Sequence, residues 1–351
     1  MNALESQLHY PFADTVPQPG EALPIVPGLS WVRMPLPFAL DHVNVWLIDD
    51  RFDGRQGYAL IDTGAGTAAT RDAWERLFDG VMKGRPLVRV VATHCHPDHV
   101  GWSGWLCERF DAPFWTSAAE FAFARMMAAA LPGVDGPSAI PHFRRHGLTD
   151  PALLEELQGR KNYYPSLVPS VPAAYTRLQD GQCVTIGGHD WRVITGFGHS
   201  PEHVSLYSAG LNILLAGDMV LPRISTNVSV FAVEPEGNPL SLYLDSLGKF
   251  GGLPDDVLVL PAHGRPFRGL HTRIEQLRAH HGERLDEVRA ACATPQSAAD
   301  IVPIMFKRKL DAHQLTFAIG EALAHLHMLW FSGHLVRVTD NNGILRFELT
   351  Q

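Results

Sequence analysis

No apolar run in this sequence approaches the ~20 residues needed to cross a bilayer, so no membrane span is expected. The start, Met1-Asn2-Ala3-Leu4-Glu5, lacks the basic residues and the continuous apolar stretch of a secretory leader. Cysteine is scarce, and Cys95, Cys107, Cys183 and Cys292 lie far apart with no C-x-x-C spacing. They read as free thiols of a reducing compartment, which places the chain in the cytoplasm. A basic excess is also missing: 29 Lys and Arg stand against 37 Asp and Glu, for a net charge of -8. That balance gives no general attraction to nucleic acid or anionic lipid, although a local basic patch can still exist. Internal repeats and low-complexity tracts are absent. What remains is an ordinary globular composition, 46% hydrophobic and 19% charged. At 351 residues the chain exceeds what one core usually organises, so one large domain with a smaller appendage is expected.

Residues 1–30 are rich in Pro and Gly and are expected to wrap the surface. Strand-like runs follow at 30–34, 43–48 and 58–62, the last two joined by the turn-forming segment 49–54. A helix fits Thr67 to Phe78, a buried strand 87–93, a helix Trp102 to Phe110 and a short strand 113–115. This alternation implies helices packed on sheet faces, an α/β architecture. Residues 117–175 break it: a helix from Ala118 to Leu131, then loops with Arg144, Arg145, His146, Arg160, Lys161, Asn162, Tyr163 and Tyr164, read as a helical insertion or lid. Strands resume at 183–186, 191–195, 204–207, 213–216 and 257–260. Beyond residue 268 three helices are expected, His271 to Cys292, Ser297 to Leu310 and His313 to Ser332. Asp340-Asn341-Asn342-Gly343 between two alternating apolar runs then signals a hairpin. Three helices and a two-stranded wing describe a winged-helix unit over 269–351, after a main domain of 1–268.

Histidine, by contrast, is plentiful, with 18 copies. The run Thr93-His94-Cys95-His96-Pro97-Asp98-His99 leaves a buried strand and puts three imidazoles and a carboxylate within a few ångströms. Neutral imidazole and carboxylate suit zinc and its first-row neighbours. Pro97 narrows the loop's freedom and so reduces the entropy lost on binding an ion. Three further segments have the same form, an apolar strand delivering one ligand: His199 after 193–198, Asp218 after 213–217 and His263 after 257–262. Each has a glycine beside it, which lets backbone approach closely. Singly, a His at a turn is more often solvent-exposed than liganded, and an Asp can simply cap a helix. Four such segments in this order are a poor fit to that passive reading.

These residues resemble the metallo-β-lactamase superfamily, whose signature is H-x-H-x-D-H, then one His, one Asp and a last His at strand ends of a four-layer αββα sandwich. The resemblance covers roughly residues 25–268. It implies that His94, His96 and His199 hold one metal, that Asp98, His99 and His263 hold a second, and that Asp218 bridges them. Two divalent ions are therefore expected, Zn2+ by default, with Fe or Mn suited to the same ligands. Asp62 matches the superfamily's early Asp, which supports a ligand from behind; a turn-capping role is its alternative. Two dications sharing a water lower its pKa toward neutrality, and the bridging hydroxide becomes the nucleophile. Asp98 or Asp218 is then the group that accepts or shuttles the proton. Cys95, at a variable position of the motif, reads as packing rather than as a thiolate ligand.

Around that site, Arg223 and Asn227 follow Asp218 closely and are candidates for substrate contact, with ordinary loop hydrogen bonding as the alternative. Tyr163, Tyr164, Arg144 and Arg145 read as a solvated face of the lid. The other histidines considered (His142, His146, His189, His203, His271, His280, His281, His313, His325, His327 and His334) read as structural or exposed; His203 stands out for following His199 closely.

The expected reaction is metal-dependent hydrolysis of a small thioester, lactone or ester. His199-Ser200-Pro201 resembles the Gly-His-Thr/Ser-Pro-Gly turn of hydroxyacylglutathione hydrolases, with Glu202 in place of Gly and without their glutathione-binding C-terminal region. The alternative is single-strand ribonuclease activity, as in the winged-helix β-lactamase-like protein 2 group, whose architecture this chain resembles. The acidic balance counts against it, and Lys307, Arg308 and Lys309 read as a solvated helix face. Nucleic acid is thus not the favoured partner; a small acyl substrate is, and a homodimer is compatible. Zinc β-lactamases do not generally pair this Asp with a bridging Asp, so β-lactam cleavage is not expected.

Overall fold

The computed structural model describes residues 4–134, 136–159 and 163–350. The lid positions Arg160, Lys161 and Asn162 and the His313 side chain lie outside the described residues. The first sheet opens with β1 (Ala22–Val26), β2 (Leu29–Pro35), β3 (His42–Phe52) and β4 (Arg55–Ile61). Helix α1 (Ala68–Asp79), capped by the Thr67 hydroxyl on the Thr70 N–H, leads to β5 (Leu87–Val91). Then come α2 (Pro97–Val100), α3 (Ser103–Phe110) and β6 (Phe114–Thr116). The insertion supplies α4 (Ala118–Ala128), α5 (Ile140–Arg145), α6 (Pro151–Gln158) and α7 (Tyr163–Leu167) before the short edge strand β7 (Thr176–Arg177). These seven strands form one sheet in sequence order, antiparallel as far as β4 and parallel beyond it.

The second sheet holds β8 (Cys183–Ile186), β9 (His189–Gly196), β10 (His203–Ser208) and β11 (Ile213–Gly217). After α8 (Pro239–Gly248), β12 (Leu258–Pro261) completes it in the order β12-β11-β10-β9-β8, with β11 and β12 parallel. Side chains alternate between faces along each strand. Trp46, Ile48, Ile61, Trp191, Val193 and Leu215 fill the layer between the sheets. Val45, Leu47 and Leu60 face the other way, onto Trp74 and Leu77 of α1, while Leu214 and Ala216 face Leu240 and Tyr243 of α8. Helix, sheet, sheet, helix is the αββα sandwich anticipated from the sequence.

The chain ends in α9 (Leu270–Ala291), α10 (Ala298–Met305), α11 (Ala312–Phe331) and the hairpin β13 (Leu335–Thr339) with β14 (Leu345–Leu349). Leu277, Ile301, Ile319 and Leu323 from these helices belong to the same apolar cluster as Leu214 and Tyr243. The C-terminal domain thus thickens the outer layer of the second sheet.

Three expectations need correction. The segment 49–54 is mostly strand, and the hairpin turns at Asp53-Gly54 alone; paired neighbours on both sides extend the ladder through polar residues. Residues 22–26 form a strand rather than a surface wrap. The helix expected to reach Leu310 stops at Met305, because Pro303 cannot donate its N–H and Phe306 turns extended (φ -118, ψ 102). Lys307, Arg308 and Lys309 therefore sit in an exposed connection, not on a helix face.

Candidate metal centre

The ligand-bearing loops all leave the same edge of the sandwich, at the C-terminal ends of β5, β9, β11 and β12. Hydrogen bonds stitch that edge: Val204 N–H donates to Thr93 O (2.7 Å) and Asn44 N–H to Ala262 O (2.6 Å) between the sheets, and Ala262 N–H to Gly217 O (3.0 Å) within the second. The Asn44 side chain adds bonds to Pro261 O (2.8 Å) and Gly264 O (3.0 Å), so β3 clasps the loop that carries His263. Two glycines make the approach possible. A Cβ on Gly217 (φ +53) would lie 2.3 Å from His203 Nε2, and one on Gly198 (φ +94) 2.2 Å from Pro239 O.

The structure brings all seven candidate ligands into two adjoining groups, His94–His96–His199–Asp218 and Asp98–His99–His263. In the first, His94 Nε2 lies 2.9 Å from His96 Nδ1 and 3.1 Å from His199 Nε2. In the second, Asp98 Oδ2 lies 3.5 Å from His99 Nε2 and 3.3 Å from His263 Nε2. Asp218 reaches both, with His199 Nε2 at 3.4 Å, His263 Nε2 at 3.4 Å and His99 Nε2 at 3.8 Å.

Hydrogen bonds behind the rings fix which nitrogen faces inward. His99 Nδ1 donates to Asp62 (2.8 Å), His199 Nδ1 to the Asn227 carbonyl (2.8 Å) and His263 Nδ1 to the His42 carbonyl (2.8 Å). His94 Nδ1 meets Thr93 Oγ1 at 3.1 Å, and that hydroxyl donates onward to Asp62. The Nε2 lone pairs of His94 and His199 are thereby aimed at one another across 3.1 Å, a repulsive arrangement unless a cation lies between them. Buried His99 Nε2 and Asp218 Oδ1 make no hydrogen bond at all, an expensive state for polar atoms that a metal ion would relieve. The donor set of neutral imidazole and carboxylate therefore fits divalent metal.

The two halves differ electrically. Burial, reinforced by neighbouring imidazoles, holds His94 well below the ordinary histidine range and His96 down to about 3. Burial also opposes charge on His99 and His263, but the carboxylates around them prevail. His99 is pushed well up, by Asp62, Asp98 and Asp218, and His263 to about 10, chiefly by Asp218. Asp98 and Asp218 in turn overcome their burial and are held low by His99 and His263. Metal uptake therefore displaces protons from His99 and His263 but not from His94 and His96.

Asp62 stands behind His99, as the resemblance implied, and accepts from Thr93 N (2.7 Å) as well. Its own φ of +62 is a strained backbone state held by the surroundings. His203 is no ligand; it accepts the Asp218 N–H (3.1 Å) and so positions that carboxylate's backbone. Cys95 is buried, as packing predicted. Arg223 departs from expectation. Its side chain is 72% exposed and pairs with Glu5 at 3.9 Å, drawn outward by that acid, and it does not line the cavity beside the site. Asn227 makes its hydrogen bonds within the protein: its carbonyl orients His199, its Oδ1 accepts from Ser229 (2.8 Å) and its amide donates to Glu321 on α11. Tyr164 is buried and donates to Cys95 O, and Tyr163 lines the cavity, so neither is the solvated residue expected; Arg144 and Arg145 are exposed.

Three supports had no signal in the pattern of ligands. Glu120, buried on α4, accepts from Cys95 N (2.7 Å), Ser200 Oγ (2.6 Å) and Glu202 N (2.6 Å), tying the 94–99 loop to the His199 loop. Glu202, where the resembled turn has Gly, returns a carboxylate oxygen to Ala119 N (3.2 Å) at the start of α4, a favourable place for negative charge. His42 accepts the Gly264 N–H through Nε2 (2.9 Å).

The profile of the metallo-beta-lactamase superfamily matches residues 39–263, and that of the metallo-beta-lactamase-like C-terminal domain matches residues 285–350. The chain belongs to the metallo-beta-lactamase superfamily. Within that superfamily it is 54% identical to a beta-lactamase domain protein from Burkholderia ambifaria. The two superpose with a TM-score of 0.94 over 99% of this chain and 100% of that one. A probable metallo-hydrolase of Bacillus subtilis strain 168, YqjP, is 26% identical over 312 residues, 85% of this chain and 91% of its own length. The acyl-coenzyme A thioesterase MBLAC2 of Gallus gallus is 28% identical over 202 residues, 56% of this chain and 64% of its own. This chain is accordingly a metallo-hydrolase whose His and Asp groups form a candidate divalent-metal site.

Proposed function

We propose that this superfamily member holds two divalent ions, Zn2+ by preference, and hydrolyses an acyl derivative: a thioester, lactone or ester. When bound, the ions supply Lewis acidity and an activated water at neutral pH. His94, His96 and His199 hold one, Asp98, His99 and His263 the other, and Asp218 lies between them. Asp98 is the more accessible carboxylate, with 19% of its side chain exposed against 9% for Asp218. Held ionised by its histidine neighbours, Asp98 accepts the proton of the attacking water and passes it to the leaving group.

The observation that carries the acyl reading is the lining of the cavity beside the site. It opens on His96 and His199, is predominantly apolar, and among its described residues has neither Lys nor Arg. A phosphodiester backbone needs cations along its path. Lys307, Arg308 and Lys309 do not line this cavity. The C-terminal helices and hairpin follow a winged-helix order, and we read them as a cavity wall rather than a reader of RNA. The similarity to an acyl-coenzyme A thioesterase is consistent with that choice. The test is a panel of thioesters, lactones, aryl esters and bis-aryl phosphodiesters on protein of measured metal content. An acyl compound is expected to give the highest kcat/KM; a clear preference for the phosphodiester would overturn the reading.

A further inference from the structure

The cavity that meets His96 and His199 has a volume of about 460 Å3, far more than a two-carbon acyl group fills. At ~30 Å3 for each water-sized group, it accommodates a chain on the order of ten carbons. His96, His199 and Ser200 line the cavity where it meets the metal groups, and His142, Ser229, Glu234 and Asn238 are among its further polar side chains, in a lining that is predominantly apolar. The apolar part of the lining includes Phe123 and Met127 of α4, Phe143 of α5 and Leu157 of α6, all from the insertion. Facing them are Phe231 and Val233, from the segment after Asp218, with Leu242 of α8 and Phe317 of α11.

Those last four side chains are also unusual by exposure. Phe231 is 43% exposed, Val233 40%, Leu242 48% and Phe317 39%. Large apolar residues scattered singly over a surface need no explanation, whereas four lining one cavity mark a surface built to be covered. The only carboxylate in the described lining is Glu234, and no side chain there carries a permanent positive charge. An anionic group would lose its water inside without gaining a cationic partner. An aliphatic chain loses nothing polar.

We propose that the substrate's acyl group is an extended aliphatic chain, of medium length or longer, lying in this cavity with its carbonyl at His96 and His199. The inference rests on the acyl-hydrolase reading above and gives that reading its substrate class. It also gives the insertion and the C-terminal domain one task, since α4, α5, α6 and α11 all line the cavity.

The experiment measures kcat/KM on the metal-loaded full chain for p-nitrophenyl acetate, butyrate, octanoate and dodecanoate, with calorimetric binding of decanoate beside acetate. Each methylene taken from water into the cavity should raise kcat/KM on the order of fourfold, up to a plateau set by cavity length. Decanoate should bind at least a hundredfold tighter than acetate. Leu242→Trp and Val233→Trp, both at half-exposed positions that tolerate added bulk, should each lower the dodecanoate-to-acetate ratio of kcat/KM about tenfold or more. A flat response to chain length, with unselective binding of the two acids, overturns the inference and leaves ester hydrolysis standing. Hydrolysis of none of the esters, nor of the matching thioesters and lactones, with decanoate still bound selectively, defeats the acyl-hydrolase reading itself. If a second copy of the chain covers this face instead, sedimentation shows a dimer that Leu242→Trp dissociates while the chain-length ratio stays unchanged, and the inference falls.

Discussion

Asp62 shows how one side chain behind the ligands governs them. Its carboxylate accepts from His99 Nδ1 and from both donors of Thr93, so it fixes a ligand's tautomer and anchors the loop that carries three more. Asp62→Asn isolates the charge, because Asn tolerates the positive φ at this position at least as well as Asp. The variant should fold, yet bind the ion at Asp98, His99 and His263 roughly 10- to 100-fold more weakly, and lose it first. Competition with a chromophoric chelator measures this. Equal retention of both ions by the variant would show that Asp62 does no more than cap a turn. Most of the metal residues were legible in the sequence because spacing alone places ligands at strand ends. Their supports were not: Glu120, His42 and the Asn227 carbonyl come from distant segments or from backbone atoms, which no local pattern reports.

At the scale of elements, α11 reaches the metal edge although it lies some hundred residues further along the chain. Gly320 packs so closely that a Cβ there would stand 2.7 Å from Ser229 Cβ, and its carbonyl accepts the Val230 N–H at 3.1 Å. Beside it Glu321 receives the Asn227 amide, and Asn227 O holds His199. Burial pushes Glu321 up to about 7, against an ordinary 4.5. The native state therefore keeps this proton where the unfolded chain has lost it. That contribution is whole below the unfolded value and disappears as pH rises through about 7. Glu321→Gln should accordingly match the parent's Tm near pH 4.5 and exceed it above pH 8, by roughly 1–3 °C. Thermal melts of metal-loaded protein across that range check it; a difference that does not change with pH would contradict the burial of a proton at Glu321. Element order was readable from period and turn chemistry, including the Asn342-Gly343 hairpin. Strand ends were less so, since Asp49, Asp50 and Arg51 are polar residues kept extended by partners on β4 that the local pattern does not reveal.

For the whole molecule, the sandwich supplies one edge where four loops meet, and two additions enclose what that edge faces. The insertion and the C-terminal helices lie far apart in sequence, and their apolar faces look like ordinary core. Only packing shows that Phe317 and Met127 line the same cavity. This is why a small acyl substrate was the natural expectation from sequence and an extended one is the proposal from structure. Beneath every functional statement lies the cage itself: imidazoles oriented from behind, with Asp218 between two groups that differ in charge. Elemental analysis combined with anomalous diffraction at the metal edges tests it directly. Two ions per chain are required, one against His94, His96 and His199 and one against Asp98, His99 and His263, with Asp218 touching both. Carefully metallated protein that holds no tightly bound ion, or a metal signal located away from these seven side chains, would contradict it.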